Sequence, residues 1–210
     1  MNAKEFEMLY GPCHEAGGMT AYEWERDPKR LGFILARYKF VSKMLEGYGR
    51  VLEVGCADGF GSRVVAQTVG KLVAVDLDEE SIEEAKRVAY SPWPVDFRVH
   101  DLTESPFPET FNAAYCLDVL EHIDPIVDEQ SFLEHLRACA PVAIIGMPSL
   151  ESQPYASELS AQGHINCKTG PQLRATLLRH WQHVFLFGMN DETLHTGFSP
   201  MCQYRLAVCT

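Results

Sequence analysis

The chain has 210 residues, of which 46% are apolar and 22% are charged, a composition typical of a globular protein with one sizeable core. Its formal net charge of −11 argues against nucleic acid as a partner, because such binding relies on Lys and Arg to neutralise phosphates. No apolar run approaches the roughly 20 residues of a membrane-spanning helix, and the start of the chain lacks a secretory signal pattern. Seven cysteines without a CxxC pair are typical of reduced thiols, so we expect a cytoplasmic protein that binds neither nucleic acid nor membrane.

The predicted elements begin with a helix that follows an irregular lead at 10–25. Asp27 suits the N-cap and Pro28 the first helical position, and apolar residues then recur at three- and four-residue spacing up to Leu45. Strands and helices alternate from there. The spacing predicts strands at 50–55, 71–76, 95–100, 111–117 and 141–146 and helices at 59–69, 80–90, 128–139 and 169–181.

The end of the chain departs from this alternation. The runs "HVFLFGM" and "CQYRLAVC" are both strand-like with no helix between them, which predicts an antiparallel pair. The order therefore predicts an α/β, Rossmann-like, doubly wound sheet of seven strands, mostly parallel with one antiparallel C-terminal strand. We expect a single domain over 1–210, in which 1–46 form an N-terminal lid and helix and 47–210 form the core, with an insert near 188–201.

The segment "VLEVGCADGFGS" at 51–62 joins the first predicted strand to a glycine-bearing turn. A dinucleotide-binding motif needs G-x-G-x-x-G, but the register from Gly55 places Ala57 and Phe60 at the second and third glycines, and the register from Gly59 ends on Val64. The pattern therefore argues against a nicotinamide dehydrogenase. Because only glycine adopts positive φ without strain, we predict a negative φ at Ala57.

Four motifs in order make the chain similar to the class I S-adenosylmethionine-dependent methyltransferases. The first is the glycine loop with the acid Glu53 before it, and the second is Asp76 in "LVAVDLDEESIEEAK". The third is Asp101 in "FRVHDLTESPFPETF". The fourth, "FNAAYCLDVLEHID", resembles the segment ending in Glu-His of many small-molecule O-methyltransferases, and "ARYKF" resembles an arginine–tyrosine pair found in a subset.

The resemblance implies S-adenosylmethionine as the cofactor. Its methionyl carboxylate would face the glycine loop, its ribose hydroxyls Asp76 and its adenine amino group Asp101. The implied cofactor-binding residues are Arg37, Glu53, Gly55, Cys56, Ala57, Gly59, Asp76, Leu77, Asp101, Leu102 and Leu117. Structural roles remain open for four of them: a strand-end acid (Glu53), a helix cap (Asp76), a turn acid (Asp101) and an exposed helix residue (Arg37).

Methyl transfer to a hydroxyl also needs a group that accepts the hydroxyl proton. Ligands of open α/β sheets bind at the carboxyl ends of the strands, where the candidates are Asp118, Glu121, His122, His164 and His195. An unperturbed pKa of about 6.5 makes histidine suitable as a base, so His122 is the first catalytic candidate and His164 the second, with Glu121 beside them. A purely structural role is the alternative for both histidines.

A divalent metal is left open by a further resemblance. Related small-RNA methyltransferases hold such an ion with Glu-x-x-Glu-His and a later histidine, and Asp118, Glu121, His122 and His164 resemble this set with Asp in the first place. The net charge of −11 speaks against an RNA acceptor.

The resemblance as a whole implies methyl transfer to a hydroxyl of a small-molecule acceptor, and we expect a sugar or glycoconjugate precursor. The lead with Tyr22 and Trp24, and the insert with Phe198, are expected to select it. The alternatives are phenolic O- or N-methylation in a natural-product pathway and a non-catalytic S-adenosylmethionine-binding protein. The sequence does not indicate an oligomeric state.

Overall fold

The computed structural model describes residues 4, 5, 8, 16–89 and 92–210. Residues 10–15 of the predicted irregular lead, and Tyr90 of the helix predicted at 80–90, lie outside the described residues. The helices, in chain order, are α1 (Gly18–Arg26), α2 (Pro28–Met44), α3 (Ser62–Ala66), α4 (Glu79–Val88), α5 (Glu129–Cys139), α6 (Glu158–Gly163) and α7 (Gly170–Leu177). Short 3-10 turns cover Leu120–His122, Leu150–Tyr155 and Ser199–Met201.

The strands are β1 (Arg50–Val54), β2 (Lys71–Asp76), β3 (Val95–Val99), β4 (Ala113–Leu117), β5 (Val142–Pro148), β6 (Val184–Asn190), β7 (Thr193–His195) and β8 (Tyr204–Cys209). They form one sheet in the order β3-β2-β1-β4-β5-β8-β6-β7. The first five strands pair in parallel, whereas β8 runs antiparallel to both β5 and β6. This confirms the predicted doubly wound, mostly parallel sheet with an antiparallel C-terminal strand.

The predicted number of strands was wrong, because the sheet has eight in the described part of the chain. The additional strand, β7, is only three residues long and pairs antiparallel with β6 inside the insert. A run of three residues is too short to show the alternation by which strands are recognised.

The irregular lead was also predicted wrongly, because α1 covers Gly18–Arg26 within it. The N–H of Thr20 in the first turn of α1 donates to the Asp58 carboxylate at 2.8 Å, although 38 residues separate the two. A helix whose N-terminus is capped from the glycine loop leaves no local capping signal in the sequence. The next helix, α2, begins as predicted, with Asp27 accepting a hydrogen bond from Arg30 N at 3.3 Å and Pro28 in the first turn.

The core occupies both faces of the sheet. Tyr38 and Val41 of α2, with Leu45 directly after it, pack on the face that Val51 points to. A second group on the face of Leu52 includes Phe132, Leu133 and Leu136 of α5 and Leu173 and Leu177 of α7. Since β1 to β5 are parallel, their carboxyl ends share one edge of the sheet. No described helix combines the length and the apolar character that crossing a membrane would require.

Candidate active site

A cavity of about 610 Å³ lies at this edge of the sheet. The glycine loop, α1, α2, the end of β4 and the segment after β5 contribute to its wall. Five of the predicted cofactor-binding residues line it: Arg37, Gly55, Cys56, Ala57 and Leu117. The other six lie behind or beside the lining: Glu53, Gly59, Asp76, Leu77, Asp101 and Leu102.

The glycine loop has three residues with positive φ, namely Gly55 (79°), Ala57 (47°) and Gly59 (70°). The prediction of a negative φ at Ala57 was therefore wrong. Its backbone is held in the left-handed region because the Ala57 N–H donates to the Asp76 carboxylate at 2.9 Å, and Gly59 N–H closes the turn on Cys56 O at 2.9 Å. A side chain at Gly55 or Gly59 would collide with Val119 or Phe97, so only the alanine position tolerates a methyl group.

Two carboxylates lie at the ends of the neighbouring strands β2 and β3. Asp76 accepts from Ala57 N and from Asp78 N, and Asp101 accepts from both the N–H and the hydroxyl of Thr103 at 2.7 Å. Asp78, and not Asp76, caps α4. Because a carboxylate has about four lone-pair sites, both acids keep acceptor capacity for a ligand.

Glu53 lies beneath the loop and is only 1% exposed. Within the described part of the chain, neither carboxylate oxygen nor the buried hydroxyls of Ser62 and Tyr115 make a hydrogen bond of normal geometry. Burial raises the pKa of Glu53 to about 7, although the nearby hydroxyls of Ser62, Tyr115 and Tyr38 lower it. Glu53 therefore supports the loop from the core and does not face the cavity.

Arg37 is not an exposed helix residue, since its side chain is 19% exposed. Its Nη1 lies 2.9 Å from each carboxylate oxygen of Asp118, and its guanidinium stacks over the Tyr204 ring, 3.8 Å from the centroid. Asp118 itself has a φ of +57° just after β4. Among the described residues the buried Arg37 Nε has no partner, and Arg37 contributes to the cavity wall.

The three catalytic candidates come together beyond Asp118. His122 Nδ1 lies 2.9 Å from Gly163 O, and His164 Nδ1 lies 2.9 Å from Gln153 Oε1. Carbonyl and amide oxygens only accept hydrogen bonds. In the neutral imidazole, each Nδ1 therefore carries the hydrogen and each Nε2 has the free lone pair. The two rings are 5.2 Å apart between centroids. Both histidines are thus oriented to accept a proton or to bind a ligand.

Glu121 completes this cluster from the buried side. Its two carboxylate oxygens have no hydrogen-bond partner in the described residues. Burial, with a smaller contribution from Asp118, raises the pKa of Glu121 well above its usual range. Glu121 and His164 line the cavity, whereas His122 is not among its lining residues and lies behind His164, with which its ring is in contact.

The segment that carries His164 is fastened to the turn that carries His122. Asn166 N donates to Glu121 O at 2.9 Å, and Asn166 Nδ2 reaches Leu120 O at 3.2 Å and Glu129 Oε2 at 2.8 Å. Lys168 Nζ forms an ion pair with Glu129 at 2.7 Å. This buried network fixes the distance between the two imidazoles.

The same cluster has the donor set of a divalent metal site. One ligand atom each from Glu121, His122 and His164 lie within 4.8 Å of one another. Two imidazoles whose Nδ1 atoms are held by oxygen, together with a carboxylate that lacks a partner, suit a borderline divalent ion. Asp118 does not belong to this group, because it is paired with Arg37.

Several predicted side chains lie elsewhere. His195 does not line the cavity and contacts Asn190 and Gly197 within the insert. The aromatic residues expected to select the acceptor face away from the cavity: Tyr22, Trp24 and Phe198 are 57%, 64% and 70% exposed. Because α1 is helical, it presents the positions of Thr20 and Glu23, three residues apart, to the cavity instead.

The cavity is also lined by polar residues that were not predicted from the sequence, among them Glu23, Gln153, Asp191 and Gln203. Asp191 lies in the insert, whose polar residues had already marked it as an acceptor-selecting segment. Gln153 has no signal in the sequence, because its role depends on His164 folding back onto it.

Comparison with known proteins agrees with this geometry. A family model described as a methyltransferase domain matches residues 51–142. The ubiquinone biosynthesis O-methyltransferase of Xanthomonas campestris pv. campestris is 32% identical over 145 residues, which are 65% of this chain and 55% of that protein. That of Xanthomonas oryzae pv. oryzae is 30% identical over the same shares. The chain thus spans about half the length of the curated relatives it matches.

Solved structures share the fold at low identity. The methyltransferase domain of a bacterial CtHen1 has a TM-score of 0.70 at 16% identity, over 85% of this chain and 98% of that one. The plantazolicin methyltransferase BpumL in complex with SAH has a TM-score of 0.66 at 14% identity, over 91% and 88%. The matched segment 51–142 contains the glycine loop, both strand-end acids and the turn with Glu121 and His122. Residues 51–142 thus match a methyltransferase domain, and the chain as a whole shares the fold of these solved structures.

Proposed function

We propose that the chain binds S-adenosylmethionine in the cavity and transfers its methyl group to a hydroxyl of a small molecule, with a sugar or glycoconjugate precursor as the acceptor. The observation that carries this proposal is the pair of oriented imidazoles, of which His164 lines the same cavity as the glycine loop and His122 lies 5.2 Å from His164 between ring centroids. One side of the cavity suits the cofactor, and the other offers a proton acceptor.

The cofactor would lie across the ends of β1, β2 and β3. Its methionyl carboxylate would meet the loop of Gly55, Cys56, Ala57 and Gly59, where backbone N–H groups favour an anion, near the guanidinium of Arg37 on the cavity wall. The ribose hydroxyls would donate to Asp76. The adenine would donate to Asp101 near the backbone of Leu102, and Leu77 and Leu117 would supply apolar contact.

The chemistry is an in-line displacement. The acceptor oxygen forms a bond to the methyl carbon while the carbon–sulfur bond breaks, which leaves S-adenosylhomocysteine. The protein's part is to hold the two reactants in line and to take the hydroxyl proton. The Nε2 atom of His122 or His164 is the proton acceptor in this proposal, and a protonated Glu121 beside them would not compete with it.

A metal-assisted form of the same reaction is a second candidate, favoured by the donor set of Glu121, His122 and His164. A divalent ion held there would polarise the acceptor hydroxyl. Dialysis against a chelator, followed by titration with manganese or zinc, separates the two forms, since only the metal-assisted one loses and regains turnover.

Turnover of S-adenosylmethionine to S-adenosylhomocysteine with a panel of neutral sugars and phenols tests the proposed function. Sugar-dependent turnover supports it. Phenol-dependent turnover would support the phenolic alternative, which the curated ubiquinone biosynthesis O-methyltransferases also favour. Cofactor binding without any turnover would indicate a non-catalytic binding protein.

A further inference from the structure

We infer that the acceptor is uncharged or cationic where it meets the insert, and that Asp191 selects it against phosphorylated compounds. This inference rests on the proposed function and deepens it by naming a substrate class. It follows from the charges on the acceptor side of the cavity, which the β4 to β8 half of the sheet supports.

The two arginines of the cavity wall are already paired. Arg30 lies 3.5 Å from Glu23, and Arg37 lies 2.9 Å from Asp118. Among the described residues that line the cavity there is no other arginine and no lysine. A phosphate is usually bound by such cations, by Arg most often in a bidentate pair. The acceptor side therefore has no unpaired cation for a phosphate.

Asp191 is an anion on the same wall with no compensating charge. It lies in the turn between β6 and β7 and lines the cavity, and its carboxylate makes no hydrogen bond or ion pair with the described residues. An unpaired carboxylate on a cavity wall accepts hydrogen bonds from hydroxyls or from an ammonium group and repels phosphate.

The position of Asp191 is fixed by its backbone. Its φ of +52° is uncommon for a residue other than glycine, and its N–H donates to Gln203 Oε1 at 3.1 Å. Gln203 N in turn donates to Asn190 Oδ1 at 3.1 Å, and Asn190 Nδ2 donates to Met201 O at 3.1 Å. These three hydrogen bonds tie the turn to the segment before β8, so the backbone of Asp191 is held at the cavity wall.

The corresponding ligand is a neutral polyol or an amino-substituted one. Neighbouring hydroxyls of a sugar can donate to the two oxygens of Asp191, and an ammonium group would gain a charge-assisted hydrogen bond. A sugar phosphate would place like charge beside Asp191 with no cation to offset it.

The test uses monosaccharides in matched sets, such as glucose, glucosamine and glucose 6-phosphate, with kcat/KM measured from S-adenosylhomocysteine formation. In the set with the highest activity, we expect kcat/KM for the neutral or amino sugar to exceed kcat/KM for the corresponding sugar phosphate by about 10-fold or more. Asp191→Asn and Asp191→Gly should each reduce that ratio by about 5-fold through KM, with the cofactor Kd unchanged. Glycine also adopts the left-handed backbone without strain, so agreement between the two variants excludes a folding effect.

Glu192→Gln is the matched control, because Glu192 lies on the same turn but does not line the cavity. The inference would be overturned if the sugar phosphate had the highest kcat/KM of its set. It would also be overturned if Asp191→Asn and Glu192→Gln had the same ratio of kcat/KM between the neutral or amino sugar and the phosphate. If cofactor binds and no acceptor turns over, the proposed function fails instead. Binding of the same sets to protein loaded with S-adenosylhomocysteine then decides the charge preference, and a phosphate that binds as tightly as its neutral partner contradicts it.

Discussion

On the β1 to β3 side of the cavity, the polar groups come from loops that directly follow adjacent strands, and they are held by partners close in sequence. Asp101 bonds to Thr103, and Asp76 bonds to Asp78 and to Ala57, 19 residues away. On the β4 to β8 side, Asn166 meets Leu120 across 46 residues and His122 meets Gly163 across 41. The first side is a repeated local arrangement that suits one cofactor, whereas the second is assembled from distant segments and is free to differ in its acceptor.

If the two sides have separate tasks, substitutions should separate turnover from cofactor affinity. The largest effect is expected for His122→Ala, which removes one of the two oriented bases. We expect turnover to fall by about 10²- to 10⁴-fold, the usual contribution of a general base, with an unchanged Kd for S-adenosylmethionine. Steady-state kinetics and calorimetry measure the two quantities.

His183→Ala is the control for that variant, because His183 is exposed just before β6 and does not belong to the cluster of Glu121, His122 and His164. Its turnover should match the wild type. A loss of cofactor affinity in His122→Ala would place His122 on the cofactor side and contradict the separation of tasks between the two sides.

The converse is expected of Asp76→Ala. Removing a carboxylate that would accept two ribose hydroxyls, at roughly 1.5–3 kcal/mol for each charge-assisted hydrogen bond, should weaken cofactor binding by about 10²-fold or more. Asp78→Ala is the matched control, since it removes the carboxylate that caps α4 and that has no role in the proposed cofactor binding. Calorimetric titration should show a weakened affinity in the first variant alone, and equal losses in both would point to a folding effect.

Glu53 provides a test that needs no ligand. Its pKa is about 7 in the folded chain against an ordinary value of 4.5, so between these pH values the native state keeps a proton that the unfolded state has lost. The free energy of unfolding should therefore decrease as pH rises from 4.5 to 7, by as much as about 3 kcal/mol from this one group.

In Glu53→Gln that decrease should be absent. Urea unfolding at pH 5 and pH 8 measures the difference, and the exposed Glu46→Gln serves as the control. A wild type and a Glu53→Gln variant with the same pH dependence would mean that Glu53 is ionised in the folded chain.

The smallest effect is expected at Ala57. An alanine in the left-handed region costs about 1–2 kcal/mol of conformational strain, which a glycine does not have. The greater backbone freedom of glycine in the unfolded chain offsets about 0.5–1 kcal/mol of the stability gained by relieving that strain. Ala57→Gly should thus raise the free energy of unfolding by up to about 1 kcal/mol, whereas Ala66→Gly at the end of α3 should lower it by a similar amount. Thermal unfolding compares the stabilities of the two variants. A clear destabilisation by Ala57→Gly would show that the backbone of Ala57 is not strained.

The same contrast explains how much the sequence could predict. The alternation of strands and helices from β1 to β5, the start of α2 after Asp27 and the acid at the end of β2 follow from local spacing, and all three are found. The φ of Ala57 was predicted wrongly because it is decided by the Asp76 carboxylate on the neighbouring strand. Spacing within one segment carries no information about such a contact.

The acceptor side depends almost entirely on contacts of that kind. His122 and His164 were chosen for their chemistry, but their approach depends on Asn166 joining two segments that are distant in the chain. Tyr22 and Trp24 were expected to select the acceptor, but both are exposed. Because α1 was not recognised as a helix, the side chains on its cavity-facing side could not be assigned from the sequence. Residue type identified the chemistry here, and only the fold could identify which side chains reach the cavity.

Calorimetric titration of the wild-type chain with S-adenosylmethionine, and separately with NAD, tests the central claim most directly. We expect one S-adenosylmethionine to bind per chain, no NAD to bind, and S-adenosylmethionine binding to be lost in Asp76→Ala. Binding of NAD without binding of S-adenosylmethionine would contradict it.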